Sequence, residues 1–261
     1  MTETHPAMTY GSYLALDEIL GAQGTRSDEH DEMLFIVIHQ VYELWFKQLL
    51  HELVALQRWL ADGRTPQVLH TLRRVLTILK VVVAQIDVLE TMTPRQFTSF
   101  RTRLDASSGF QSAQFRELEA VLGRRDSRVF RHYPPGAARE RISAAMSRPS
   151  LFDSFLRYLA VSGYDVPADA LERDVREPIA EVPGVRAMLL AVYADDGNAA
   201  QVAERLVDLD EGVQEWRYRH VKMVERTIGD KSGTGGSSGA AYLRTTISPA
   251  FPDLWAIRSE L

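Results

Sequence analysis

Residues 31–53 read DEMLFIVIHQVYELWFKQLLHEL, and this stretch decides the fold class. Its first half is apolar nearly all round and its second half is apolar at helical spacing. That pattern predicts a helix buried along much of its length. Such a helix needs partners of the same kind, and the flanking sequence supplies them. Residues 66–90 carry Leu69, Leu72, Leu76, Leu79 and Val83 at spacings of three and four, the stripe of a second long helix. Thr93 and Pro94 then offer an N-cap followed by proline at the first helical position, and Gln96 completes a capping box. That helix is expected to end near Leu104.

Farther along, residues 112–122 form a helical pattern closed by Gly123. Residues 124–150, RRDSRVFRHYPPGAARERISAAMSRPS, are rich in arginine, serine and proline and predict irregular surface structure. Helical character returns over 151–160 and 184–194, and a long amphipathic helix is expected from Asn198 to Ile228, stopping at Gly229. The glycine-rich run GDKSGTGGSSGAAY cannot be regular structure. The last segment, SPAFPDLWAIRSEL, bears aromatics and should dock on the body. No alternating run suggests a sheet and no repeat stands out. Residues 1–261 are therefore expected to form one all-α, helical-bundle domain.

Composition narrows the function. The 261 residues include 30 basic and 35 acidic side chains, a net charge of -5. No basic face for nucleic acid or a membrane surface is expected from that balance. Cysteine is absent, which excludes disulfides, thiolate metal sites and cysteine nucleophiles. Apolar runs fall far short of the roughly 20 residues that a bilayer span requires. The opening MTETHPAMTY resembles no signal peptide, so a soluble, cytoplasmic protein is expected.

With cysteine gone, the seven histidines are the first candidates for chemistry. His5, His30, His70 and His132 sit in polar or terminal contexts and read as surface residues, and His51 reads as structural. His39 shares a helix face with Phe35, Tyr42 and Phe46. His220 lies on the stripe Val213, Trp216, Met223, Val224 and Thr227. A histidine on an apolar face is more often a satisfied core residue than a ligand, and neither has a second histidine at chelating spacing. One axial histidine on a haem needs no such spacing, so haem stays open. Arg101 rises from a stripe with Phe97 and Leu104. It is either a snorkelling surface arginine or a bidentate clamp for a carboxylate. The glycine-rich run does not match a phosphate-binding loop, since Lys231 precedes its glycines.

Four blocks, MTYGSYLALDEILGAQ, DEMLFIVIHQVYELWFKQLLHEL, FRTRLDASSGFQSAQFRELE and RHVKMVERTIGDKSGTGGSSGAAYLR, resemble the tryptophan 2,3-dioxygenase family in order and spacing. The likeness covers residue 8 to about residue 245. It implies a haem-dependent enzyme that cleaves the indole C2=C3 bond of L-tryptophan with O₂, giving N-formyl-L-kynurenine. By the same resemblance His220 ligates the iron of heme b, and His39 is the catalytic distal residue facing the indole N–H. Phe35 packs on the indole, and Arg101 and Thr234 hold the amino-acid end. Phe97, Leu104 and Ser108 are further pocket positions. Tyr10 and Tyr13 reach a neighbouring subunit's site, which implies a homotetramer of intertwined dimers. The same motifs would serve an enzyme inserting one oxygen to give a 2-oxindole. A non-catalytic haem or tryptophan sensor is the other alternative, and it has no need of an amino-acid clamp.

Overall fold

The computed structural model describes residues 7–105, 107, 109–179, 182–231 and 239–261, excepting the side chains of Phe110 and Pro183. Every regular element among them is helical. Three long helices form the frame: α3 (His30–Ala61), α4 (Thr65–Leu89) and α11 (Asn198–Ile228), with α4 packed against both of the others. The stretch 31–53 is the N-terminal two-thirds of α3, which continues to Ala61 because apolar positions recur as Leu53, Leu56 and Leu60. On α4 the buried residues Val68, Leu72, Val75, Leu79, Val82, Ile86 and Leu89 alternate spacings of four and three. That seam lets neighbouring helices lie nearly parallel. Each leucine buried in it contributes roughly 1.5–3 kcal/mol.

α11 approaches α4 closely at Gly212, where an added Cβ would lie 2.6 Å from Leu79 Cδ2 and 3.3 Å from its Cγ. Leu79 is itself in the core. A larger residue at 212 would therefore have to push the buried Leu79 side chain aside.

Smaller helices dress this frame. α1 (Tyr10–Leu14) and α2 (Leu16–Leu20) bury no residue in the chain. α5 (Pro94–Arg101) carries the expected capping box, with Gln96 N–H on Thr93 Oγ1 at 3.3 Å and Thr93 N–H on Gln96 Oε1 at 2.8 Å. It stops at Arg101, one turn short of Leu104. α6 (Ala113–Val121) is capped by Ser112 and ended by Gly123 at φ +111°, a left-handed conformation that favours glycine.

The expectation of irregular structure over 124–150 is corrected. Residues Ser127–His132 form a 3₁₀ turn and Ala137–Met146 form a helix, α7, that packs on α6. Ile142 and Ala145, three apart, are its buried contacts. α8 (Leu151–Val161) packs on α3, followed by α9 (Ala168–Leu171) and α10 (Pro183–Ala194). After α11 come α12 (Ala240–Arg244) and α13 (Pro252–Ala256). The C-terminal segment docks as its aromatics suggest. Phe251 is fully buried, and buried Asp210 of α11 accepts from Ala250 N, Phe251 N and Trp255 Nε1 at 2.9–3.0 Å.

Candidate functional site

α3 and α11 both lean on α4, and a cavity of about 250 Å³ opens onto both of them near the C-terminal end of α4. α3 contributes Phe35, His39, Tyr42 and Phe46, spaced four, three and four. α11 contributes Trp216, His220, Met223 and Thr227 with the same rhythm. Helical periodicity alone thus aims two histidines from two helices into one space.

The walls are aromatic. Phe35, Phe97 and Phe100 pack with ring centroids 5.5–5.8 Å apart, and His39 lies 4.1 Å from the Phe35 ring. On the other side Trp216 bridges the helices, 6.2 Å from Phe46 and 4.9 Å from Phe115. It also stacks on His220 at 5.3 Å with an interplanar angle of 8°. Offset and edge contacts of this kind favour one rigid arrangement. Tyr42 donates its hydroxyl to the Val82 carbonyl at 3.0 Å, and burial pushes it up to about 12. It stays neutral at any physiological pH.

The two histidines differ in how they are held. His39 Nδ1 lies 2.7 Å from the Phe35 carbonyl oxygen. A carbonyl only accepts, so Nδ1 carries the proton and Nε2 is an acceptor. Burial lowers the His39 pKa, opposed by the Phe35 carbonyl and the Glu43 carboxylate. For His220, burial lowers the pKa to about 4, with His39 and Arg217 adding to the shift. Its ring nitrogens have no hydrogen-bond partner among the described residues. It is only half-buried by surface area, because one face opens on the cavity.

That donor set fits a haem. The ligating form of histidine is the neutral imidazole, and the environment of His220 keeps it neutral. Among the described residues no three His, Asp or Glu side chains group to hold a bare metal ion. A tetrapyrrole needs only one axial ligand and an apolar slot. The slot is supplied by Phe46, Ile86, Leu89, Met92, Trp216 and Val224.

The other expected site residues divide into three groups. Arg101 and Phe97, both on α5, line the same cavity as the two histidines. Leu104 packs against the hydrophobic core and is not among the lining residues. Tyr10 and Tyr13 lie on α1, 77% and 72% exposed, and do not line it either. Thr234 and Ser108 lie outside the described residues. His30, His51, His70 and His132 are exposed, while His5 lies outside the described residues.

Among the lining residues that sequence reading passed over, two are charged and held together, Arg116 and Arg217. Arg217 is buried beside Trp216, and both arginines pair with buried Glu119 of α6. The available signal was the position of Arg217 three residues before His220, on a face otherwise apolar.

Comparison with known proteins bears on the whole chain. The family profile described as tryptophan 2,3-dioxygenase matches residues 2–160 and 176–261. A protein of that name from Anaeromyxobacter sp. strain K is 65% identical over 98% of this chain and 97% of its own length. Its namesake from Anaeromyxobacter dehalogenans is 66% identical, with the same coverage of both chains. A third, from Herpetosiphon aurantiacus, is 56% identical over 98% of this chain and 99% of its own.

Proposed function

The chain belongs to the tryptophan 2,3-dioxygenase family, and from that premise we propose that it opens the indole ring of L-tryptophan with O₂. The product is N-formyl-L-kynurenine. The observation that carries this reading is the meeting of His39, His220 and Arg101 at one apolar cavity. A gas or haem sensor needs only one of the three.

In this reading His220 holds the haem iron, with Trp216 stacked on its ring to fix the imidazole plane. Ferrous haem supplies the activation of O₂, both of whose atoms enter the product across C2=C3 without an external reductant. The chain's own groups bind, orient and desolvate the substrate. Phe35 and Phe97 offer an aromatic slot to the indole. The Arg101 guanidinium matches a carboxylate in shape and charge. His39 Nε2, left as an acceptor by the bond at Nδ1, receives the indole N–H. Indole N–H is a very weak acid, so His39 orients the ring and is not required to remove the proton first. Thr234 and Ser108 join the amino-acid end by resemblance to the family.

The exposed N-terminal segment supports the assembly that goes with this reading. Met8, Tyr10, Tyr13 and Leu20 of one short stretch are each more than 70% exposed. Apolar groups gathered this way suit packing on another copy, as in a homotetramer. No described helix is long and apolar enough to cross a membrane, and a cytoplasmic setting agrees with that.

The deciding experiment mixes the haem-loaded, reduced protein with L-tryptophan in air and weighs the product. A gain of two oxygens supports the dioxygenase. A gain of one moves the reading to the oxindole-forming reaction, and unchanged tryptophan refutes this substrate.

A further inference from the structure

Beside the cavity lies a cluster of charge that the proposed catalytic steps leave unused. Glu119 of α6 is buried, and its two carboxylate oxygens are taken by two arginines. Arg116 Nη1 donates to Oε2 at 2.5 Å, and Arg217 Nη2 donates to Oε1. Burial alone would raise the Glu119 pKa, but Arg116 and Arg217 override it and hold the carboxyl below its ordinary range. Both guanidiniums also lie over the Phe115 ring, at 5.8 and 5.5 Å from its centroid. Their orientation is therefore fixed by an acid on one side and an aromatic on the other.

Counted over the ion pairs of the described residues, this cluster carries more positive than negative charge. Two arginines share one carboxylate, and a third cation, Arg124, is close enough for its pKa to feel Arg217 and Arg116. Arg124 donates to neutral acceptors, the Thr246 carbonyl at 2.6 Å and Ser248 Oγ at 2.9 Å. A surplus of desolvated positive charge is costly unless an anion completes it. Arg116 and Arg217 line the cavity itself, so the completing anion would enter from there. Next to them the Trp216 indole N–H is buried with no hydrogen-bond acceptor among the described residues. An acceptor arriving in the cavity would satisfy that donor too.

We propose that Glu119 positions Arg116 and Arg217 as a subsite for the carboxylate arms of the tetrapyrrole that His220 ligates. The inference rests on the reading of His220 as the haem ligand. Arg101 lies on α5, on a different element, so amino-acid carboxylate and cofactor carboxylates are received by separate cations. Glu119 touches neither ligand and acts by holding the two guanidiniums in place.

The test uses the full chain prepared free of haem and titrated with iron protoporphyrin IX or with its dimethyl ester, in one solvent mixture. Binding is followed by the Soret band and by quenching of tryptophan fluorescence. The unaltered protein should prefer the free acid by about tenfold or more, the scale of one charge-assisted pair. Arg217→Gln should collapse that ratio, which cancels any difference in solubility between the two porphyrins. Glu119→Gln should lower affinity for the acid while leaving that for the ester nearly unchanged. Equal affinity for acid and ester in the unaltered protein overturns the subsite and leaves His220 as ligand standing. Binding of neither, or binding indifferent to His220→Ala, overturns the cofactor reading and the subsite together.

Discussion

His39 turns its Nδ1–H back onto the carbonyl of Phe35, one helical turn earlier, at 2.7 Å. The two residues thereby define one unit, because the ring that faces the cavity and the atom that fixes its tautomer belong to neighbouring turns of α3. Nε2 has a single role left, that of acceptor. Replacing His39 with alanine or serine should lower kcat/KM for tryptophan by about tenfold, the worth of roughly one hydrogen bond. Haem affinity should be unchanged. A loss of six orders of magnitude would show that His39 is a required base, contrary to the role argued above.

His220 makes no hydrogen bond among the described residues that could substitute for a metal ligand. His220→Ala is expected to abolish the Soret band at stoichiometric haem and all turnover, while helical circular dichroism remains. Added imidazole offers a control. Partial return of the band would indicate that the cavity still accepts a haem and that only the ligand was lost.

Arg101 is tested through the substrate as much as through the side chain. Tryptamine lacks the carboxylate, so the unaltered enzyme should discriminate strongly against it. In Arg101→Ala the tryptophan reaction should lose about 2–5 kcal/mol in kcat/KM, the penalty for leaving a buried charge unpaired. Tryptamine turnover should hardly change. Parallel losses for both substrates would point to a structural arginine.

How much of this was legible in the sequence depends on how far apart the partners lie. The capping box of Thr93 and Gln96 is a local statement and could be read directly. So could the stripe that carries His220. The helix α7 was not legible, because only Ile142 and Ala145 of its ten residues are buried and arginine and serine dominate the rest. The Arg217–Glu119 pair joins residues 98 positions apart. The place of Arg217 one turn before His220 hints that it is buried, but no periodicity names Glu119 as its partner, which appears only when α6 is folded against α11.

A pH prediction concerns the scaffold. Asp153, at the start of α8, accepts from Ser150 N at 2.7 Å and from both ends of the Arg173 fork at 2.6 and 2.8 Å. Burial alone would raise its pKa, yet these bonds bring it below the ordinary 3.8. A lowered carboxyl pKa stabilises the fold above the unfolded value and loses that contribution as pH falls through the native one. Asp153→Asn should therefore cost about 3 kcal/mol at pH 7, as for one broken buried pair. In urea titrations the gap between the two proteins should narrow steadily below the ordinary 3.8. A gap independent of pH would assign the loss to packing.

Gly212 and Leu79 meet where α11 presses on α4, two helical turns before His220. Neither carries a polar side chain, yet that contact governs how closely α11, which bears His220, lies on α4. The width of the cavity that α11 and α4 help to line is thus a mechanical dimension, written in hydrocarbon. Evolution could retune it, for a bulkier or slimmer aromatic guest, without altering one residue that touches the reaction.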